Sequence, residues 1–265
     1  MSYRKPLFAG LAMIGSLAMV AGLSACSSGE DDADAPLEDS YTYATDTSFV
    51  PFEFKKDGKY VGFDIDIINA VADEAGFELK QEVTNFDGII PGLQTGSFDL
   101  AVAGISITDE RKQTIDFSAP YYKSGLIVGV PEDNDDIKSV DDLDGKKVAT
   151  RLGSTSAAYI DENIKGAKAK TYEQLDQAYL AVESGSADAV LYDQPNVAYY
   201  IRTEGESKLK TVGDLLEAQD YGIAISKDNE NLVTAVDEGL ATIKENGTYD
   251  KLYKEWFGEE PPSED

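Results

Sequence analysis

The 265-residue sequence contains no histidine and only one cysteine, Cys26, which limits the chemistry available to the chain. A single cysteine cannot form an intrachain disulfide, and a zinc site built from cysteine and histidine is excluded. Nucleophilic catalysis that needs a histidine base is excluded as well. Most hydrolase mechanisms therefore fall away, and we expect neither a cofactor nor a metal.

Positive charge is also scarce. The chain has 23 lysines and arginines against 50 aspartates and glutamates, a formal net charge of −27. Such a protein is repelled by nucleic acid and by anionic membrane surfaces, so neither is expected as a partner. No stretch after residue 25 approaches the length of about 18 apolar residues that a membrane-spanning helix requires.

The beginning of the chain has the pattern of an export signal. Arg4 and Lys5 precede an apolar stretch over residues 7–20, which suits the hydrophobic region of a signal peptide and is too short to span a bilayer. We interpret residues 1–25 as a lipoprotein signal peptide. The protein is therefore expected outside the cytoplasm, at the outer face of the cytoplasmic membrane or in the periplasm.

The residues around Cys26 predict how the exported chain is held. The run Leu23-Ser24-Ala25 before it resembles a bacterial lipobox, in which the cysteine receives a diacylglyceryl group. A buried core thiol is the alternative, but the polar, acidic residues that follow do not suit a core. We predict a lipid anchor at Cys26 and a flexible acidic tether over residues 26–40.

After the tether, extended and helical patterns alternate along the chain. Apolar residues recur at helical spacing over residues 65–75, and the apolar run over residues 100–105 is typical of a strand buried on both faces. This alternation predicts an α/β protein with parallel sheets. Roughly 225 residues are enough for two small lobes.

Several runs resemble the family 3 solute-binding proteins of amino-acid ABC importers, especially the glutamine-binding members. They include ATDTSFVPFEF at 44–54, KYVGFD at 59–64, AGISITDER at 103–111, YYKSG at 121–125 and ENGTY at 245–249. The resemblance covers nearly all of residues 43–258. It implies that the protein binds an amino acid and delivers it to an ABC permease and its ATPase as a monomer.

The same resemblance implies the two-lobed, type II periplasmic-binding-protein-like fold. Residues 41–123 and 220–260 would form lobe 1, and residues 124–219 would form lobe 2. The two crossings between the lobes would act as the hinge. An amino acid would be held between the lobes, so its contacts would favour the closed arrangement.

Binding an α-amino acid requires a cation for its carboxylate. Beyond the signal peptide the chain has only three arginines, Arg111, Arg151 and Arg202, and planar bidentate recognition of a carboxylate needs arginine. The resemblance places Arg111 on the carboxylate, with Ser106 and Thr155 as further donors. A surface ion pair with Asp109 or Asp116 is the alternative for Arg111.

The ammonium group and the methylene chain of the ligand need other partners. The resemblance places the Asp193 carboxylate and the Gly104 carbonyl on the ammonium, and the backbone of Ala103 against the ligand. Capping of the helix that begins near Pro195 is the alternative for Asp193. By the same resemblance Phe49 and Phe86 would enclose the methylene chain, although such aromatics are usually core residues.

The specificity for the ligand side chain would depend on Asp46 and Arg151. A carboxylate paired with a cation suits an amide, which both donates and accepts, and so favours glutamine. The glutamine binders of the family usually have lysine in place of Arg151, glycine in place of Thr155 and histidine in place of Tyr192. Thr155 instead is similar to binders of cationic amino acids, so glutamate, arginine and lysine stay open as ligands.

An enzyme is the rival class, because exported cyclohexadienyl dehydratases also resemble this fold. Such an enzyme needs a positioned proton shuttle, and in a chain without histidine this work would fall to Asp46, Glu53 or Asp193. Two of these carboxylates already have ligand-binding roles in the interpretation above. We therefore expect a binding protein and not an enzyme.

Overall fold

The computed structural model describes residues 36–227 and 229–262, so Cys26, the signal peptide and residues 26–35 of the tether lie outside the described residues. The strands are β1 (Ser40–Thr45), β2 (Ser48–Phe49), β3 (Glu53–Lys56), β4 (Lys59–Val61), β5 (Glu78–Val83), β6 (Leu100–Ala101), β7 (Asp116–Phe117), β8 (Tyr122–Pro131), β9 (Lys147–Arg151), β10 (Lys168–Tyr172), β11 (Ala189–Asp193), β12 (Leu209–Tyr221) and β13 (Ala224–Ile225). The helices are α1 (Phe63–Ala75), α2 (Phe86–Gln94), α3 (Asp109–Lys112), α4 (Thr155–Asn163), α5 (Leu175–Glu183), α6 (Gln194–Thr203), α7 (Glu230–Glu245) and α8 (Thr248–Phe257).

Ten of these strands form two five-stranded sheets, which define two lobes. The sheet of lobe 1 has the order β5-β1-β6-β13-β7, and the sheet of lobe 2 has the order β10-β9-β11-β8-β12. In each sheet three neighbouring strands are parallel, namely β5-β1-β6 and β10-β9-β11. The other two strands pair antiparallel. The predicted α/β class is confirmed, whereas the sheets are mixed because the chain crosses back between the lobes.

The chain passes between the sheets twice, and the two crossings lie side by side. It leaves lobe 1 after β7 and enters β8, and it returns from β12 to β13. In the crossing region β8 pairs with β12 through Tyr122↔Tyr221 and Ser124↔Gln219. The predicted lobe boundaries at 123/124 and 219/220 fall inside this paired segment, and the exact division of the chain stays a prediction.

Helix α1 shows how local sequence and distant backbone combine to fix an element. Its apolar residues, among them Ile67, Ile68 and Val71, are buried on one face, and Gly76 ends the helix in a left-handed conformation. No side chain caps its beginning; instead the N–H groups of Phe63 and Asp64 donate to the carbonyls of Pro51 and Phe52. The helix therefore begins two residues earlier than the spacing over 65–75 predicts.

The predicted strand over residues 100–105 is mostly wrong. Only β6 pairs in the sheet, and the chain then turns through Gly104, which has a left-handed φ of 53°. A side chain is excluded there, because a Cβ on Gly104 would lie 2.1 Å from a ring carbon of Phe49. The apolar run is buried as expected, but its second half forms a loop that follows the carboxyl end of β6.

Two features that the sequence patterns do not predict link the crossings to lobe 1. One is a small antiparallel sheet of β2, β3 and β4, and the other is an aromatic cluster. The Phe52 ring lies 4.9 Å from Tyr122 and 5.6 Å from Tyr221, which belong to the two crossing strands. Helix α8 adds Phe257, whose ring lies 5.2 Å from Tyr122. The place where the chain changes lobes is therefore packed with rings.

Within the described residues, no helix has both the length and the apolar character needed to cross a bilayer.

The junction between β4 and α1 provides a stability test. Gly62 has a φ of 143°, and a Cβ there would lie 2.0 Å from the carbonyl oxygen of Phe52. We expect Gly62→Ala to lower the free energy of unfolding by about 3 kcal/mol, because backbone strain and a clash with main chain combine. Urea denaturation would measure the loss.

Gly58→Ala is the matched control. Gly58 also has a positive φ, of 80°, but a Cβ there meets no atom within 4 Å. Its cost should be only about 1 kcal/mol, from the left-handed backbone alone. Equal losses in the two variants would contradict the packing described at Gly62.

Candidate functional site

The residues singled out by the sequence gather at the boundary between the lobes. In lobe 1, Asp46 directly follows β1 and Ala103 lies just beyond β6; in lobe 2, Arg151 and Asp193 end β9 and β11. Since these are parallel strands, their carboxyl ends meet at one edge of each sheet, the edge where α/β proteins usually bind ligands. The two edges face each other across the boundary.

An ion pair between Arg151 and Asp46 joins the lobes. The Nη2 atom of Arg151 donates to Oδ2 of Asp46, and the two side chains are only 1% and 2% exposed. Ser48 donates to the same oxygen through its N–H and its hydroxyl, at 3.2 and 3.1 Å. Burial disfavours the charge of Arg151, but Tyr192 and Asp46 outweigh it, so the pKa of Arg151 is raised above its ordinary value.

One donor of Arg151 is left over. Its Nε approaches the carbonyl of Glu173 at 3.4 Å, whereas Nη1 is buried and has no hydrogen-bond partner among the described residues. A buried guanidinium donor without an acceptor is costly, since a lost hydrogen bond is not replaced by water. This atom is therefore a natural partner for an acceptor oxygen.

Arg111 also connects the two lobes. Its Nη1 donates to the carbonyl of Ser106 at 2.9 Å and its Nη2 to the carbonyl of Gly153 at 3.2 Å. Burial lowers the pKa of Arg111, and the charge of Asp193 opposes this effect. The alternative ion pair with Asp116 is not formed, because Asp116 pairs with Lys227 at 2.5 Å.

Aromatic rings form the walls between these charges. The Phe86 ring lies 5.0 Å from the guanidinium carbon of Arg151 and 5.8 Å from that of Arg111, within the range of a cation–π contact. Phe49 packs against Gly104 and meets Tyr192 edge-on at 5.9 Å. Both phenylalanines are buried, as the core alternative requires, yet they lie among the predicted binding residues.

Asp193 directly precedes α6, but its side chain does not cap the helix. Its Oδ2 accepts a hydrogen bond from the Tyr221 hydroxyl instead. Burial raises the pKa of Asp193 to about 6, while this hydrogen bond and the charges of Arg111 and Arg151 limit the rise. The carboxylate thus lies at the boundary with one hydroxyl partner and two cations near it.

Ser106 and Thr155 meet at a residue that the sequence analysis missed as a site residue. Their hydroxyls donate to the same Oε1 atom of Gln219, at 2.7 and 2.9 Å. Gln219 lies on β12 at the crossing, so one amide oxygen connects lobe 1, lobe 2 and the crossing strands. No spacing pattern identifies it, because its partner Ser106 is 113 residues away.

Two further contacts across the boundary were also missed. Asn196 donates to the carbonyl of Val50 at 2.8 Å, and Gln174 donates to the side chain of Asn85 at 3.1 Å. All the predicted site residues are buried except Arg111 and Thr155, which are half-buried. These two line a groove of about 820 Å³ that opens beside the boundary. The structure therefore shows the two lobes closed on each other.

The site combines a guanidinium and a carboxylate with aromatic walls and a spare donor. Among the described residues there is no group of three or more cysteines, aspartates or glutamates that could hold a metal. These groups complement the chemistry of a small molecule that carries both charges.

Comparison with known proteins places the chain among binding proteins. The model of the family described as bacterial extracellular solute-binding proteins, family 3, matches residues 41–259. The chain is 31% identical over 247 residues to the L-cystine-binding protein TcyJ of Escherichia coli K12, covering 92% of each protein. It is 34% identical over 270 residues to the glutamine-binding protein GlnH of Bacillus subtilis 168, covering 95% of this chain and 97% of GlnH.

Solved structures give the same result. An ancestral arginine-binding protein bound to arginine is 40% identical, with a TM-score of 0.80 over 83% of this chain and 99% of that one. A structure of an ancestral arginine-binding protein bound to glutamine is 39% identical, with a TM-score of 0.79 over 84% and 100% of the two chains. The type II periplasmic-binding-protein-like fold implied by the sequence is therefore confirmed.

The raised pKa of Asp193 predicts a pH-dependent stability. The folded protein holds this proton more tightly than the unfolded chain, so the contribution of Asp193 to the free energy of unfolding falls as pH rises from 3.8 to about 6. Asp193→Asn keeps a neutral acceptor for Tyr221. Across that interval we expect the variant to gain about 3 kcal/mol relative to the parent in urea denaturation.

Asp161→Asn, which removes an exposed carboxylate from the same lobe, is the control and should show no such gain. A parallel pH profile for the parent and Asp193→Asn would contradict the assignment.

Proposed function

This chain belongs to the bacterial extracellular solute-binding proteins of family 3, and from that premise we propose that it binds a polar amino acid, L-glutamine above others, between its two lobes. It is a solute-binding protein and not an enzyme, so the dehydratase considered above is set aside. The observation that carries the proposal is the pair Arg111 and Asp193, a half-buried cation of lobe 1 and a buried carboxylate of lobe 2 at one boundary.

The ends of an α-amino acid complement this pair. Arg111 binds the α-carboxylate. Ser106 and Thr155 assist by turning their hydroxyls, which donate to Gln219 in this structure, toward the same carboxylate. Asp193 and the carbonyl of Gly104 accept from the ammonium. A charge removed from water is strongly stabilised by an opposite charge, and the zwitterion supplies one for each residue.

The hydrophobic part of the ligand lies among Phe49, Phe86, Tyr192 and the backbone of Ala103. Phe49 and Tyr192 come from opposite lobes and already touch edge-on. Closure therefore brings the walls together around a short methylene chain. This makes binding and closure a single equilibrium.

The end of the ligand side chain meets Asp46 and Arg151. Because these two charges already pair, the local charge is balanced, and a cationic side chain of arginine or lysine would leave one positive charge in excess. The Nη1 donor of Arg151 lacks an acceptor and suits an amide oxygen. This supports glutamine first. Glutamate is the second candidate, since its carboxylate also accepts.

Delivery follows from the family. We propose that the protein acts as a monomer, passes its ligand to an ABC permease driven by an ATPase, and is held at the outer face of the cytoplasmic membrane by a lipid on Cys26. A tether of about 14 residues after the anchor would reach on the order of 20 Å.

Isothermal titration of the full-length protein with each of the twenty amino acids tests the ligand. We expect L-glutamine to give the tightest binding, with L-glutamate weaker and L-lysine and L-arginine weakest, because of the charge balance at Asp46 and Arg151. Tightest binding of arginine or lysine would contradict the side-chain assignment. Heat from none of the twenty would contradict the proposed class of ligand.

Arg111→Ala tests the carboxylate contact. We expect it to weaken binding by about 2 to 5 kcal/mol, because the ligand carboxylate is left buried without its cation. Arg202→Ala, which removes an exposed arginine of lobe 2 that forms a cation–π pair with Tyr199, is the control and should bind as the parent does. Parent-like affinity of Arg111→Ala would remove this residue from the site.

A further inference from the structure

Two more carboxyl groups lie behind the binding site, and no role described so far uses them as a pair. Glu53 on β3 and Asp64 in the first turn of α1 both have 0% of their surface exposed. Burying two carboxylates without a cation of their own is unfavourable. Their protonation states therefore need an explanation.

Each oxygen of Asp64 already accepts one hydrogen bond. Its Oδ2 accepts from the N–H of Gly104 at 2.7 Å, and its Oδ1 accepts from the Tyr121 hydroxyl at 2.8 Å. Burial raises the pKa of Asp64 to about 6, and the N–H of Gly104 and the Tyr121 hydroxyl limit the rise. At neutral pH Asp64 is therefore mostly a carboxylate, and it holds the turn at Gly104.

Glu53 has the opposite surroundings. Neither of its oxygens receives an N–H or O–H donor from any described residue. The groups that face it are the carboxyl of Asp64, the carboxylate of Asp46, the Tyr121 hydroxyl and the guanidinium of Arg151. Burial raises the pKa of Glu53 well above its ordinary value, the charges of Asp64 and Asp46 raise it further, and Arg151 opposes them only in part.

Two buried carboxyls that face each other are compatible only if one carries a proton. Asp64 has two donors aimed at it and Glu53 has none, so the proton belongs on Glu53. A protonated Glu53 becomes a donor itself and gives Asp64 a third hydrogen bond. This arrangement gives one of the two Glu53 oxygens a hydrogen-bond partner and leaves a single negative charge, on Asp64.

We propose that Glu53 is a positioning residue of the binding site, a neutral carboxylic acid that donates to Asp64 and so fixes the Gly104 turn against Phe49. The inference rests on the proposed function, because Gly104 and Phe49 matter through the ligand. Asp64 anchors Gly104 by its N–H, and the Phe49 ring leaves no room for a side chain at that position. The neutral state of Glu53 has a second effect. Because it has no negative charge, Glu53 does not compete with Asp46 for the guanidinium of Arg151.

Infrared spectroscopy of the full-length protein at pH 8 tests the proton without any ligand. Carboxyls with a pKa near 6, such as Asp64 and Asp193, are ionised there. We expect the carbonyl stretch of a protonated carboxylic acid in the parent and its loss in Glu53→Gln. Glu82→Gln, which removes an exposed carboxylate of lobe 1, is the control and should keep the band.

Titration with L-glutamine tests the positioning. Glu53→Gln keeps a neutral side chain that can donate an N–H to Asp64, so its affinity should stay within about threefold of the parent. Glu53→Ala removes the donor and should bind about tenfold more weakly. Both variants lose the acid, but only Glu53→Gln keeps a hydrogen bond to Asp64. Parent-like affinity in Glu53→Gln together with weaker binding in Glu53→Ala therefore distinguishes positioning of Asp64 from a change in packing volume.

Either of two measurements could overturn the proposal. In the infrared experiment, a parent without the band or a Glu53→Gln variant that keeps it would contradict a proton on Glu53. In the titration, equal affinities of Glu53→Ala and Glu53→Gln would contradict the positioning role. If Glu53→Ala does not fold, the infrared band and the affinity of Glu53→Gln still test the proposal. A loss of L-glutamine affinity of about tenfold or more in Glu53→Gln would contradict the role of Glu53 as a neutral donor. Failure of the parent to bind L-glutamine would count against the proposed function only, since the infrared result does not depend on a ligand.

Discussion

The ion pair between Arg151 and Asp46 is the interaction on which the closed arrangement depends. Each charge comes from the end of a strand in a different sheet, and each would be unfavourable if buried alone. Bringing the lobes together solves this for both residues at once. The other charges at the boundary, Arg111 and Asp193, have weaker partners within the protein, a pair of carbonyls and one hydroxyl. The protein thus pairs the charges of Asp46 and Arg151 with each other, whereas Arg111 and Asp193 have only neutral hydrogen-bond partners among the described residues.

Polar contacts at the boundary differ in how close they lie to the proposed binding residues. Asn196 and Asn85 join the lobes away from the charges, so they stabilise closure whatever occupies the site. Gln219 receives hydroxyls from both lobes and ties closure to the crossing strands. Glu53 and Asp64 lie one layer further back and act on the shape of the wall. Affinity is then the sum of ligand contacts and of lobe contacts that exist without the ligand.

The sequence predicts the parts of this structure that local patterns determine. Helix α1 follows from its apolar spacing and from Gly76, and the arginines stand out because the chain has so few. The sequence predictions fail where contacts with residues distant in the chain determine the local structure. The run after Ala101 leaves the sheet because Gly104 is held by Asp64, 40 residues earlier in the chain. Glu53 looks like a surface residue of a charged hairpin, and only the packing of α1 against that hairpin shows it to be buried.

The paired crossing strands constrain how the lobes can separate. The N–H of Tyr121 donates to the carbonyl of Tyr221, and that of Ser118 donates to Ile223, so the ladder continues beyond the paired residues of β8 and β12 toward lobe 1. Two unbonded linkers would permit sliding and swivelling in several directions. A single hydrogen-bonded ribbon bends and twists as one body, which restricts the relative movements of the lobes more than two independent linkers would. The two charged edges therefore separate and meet again without one crossing sliding past the other.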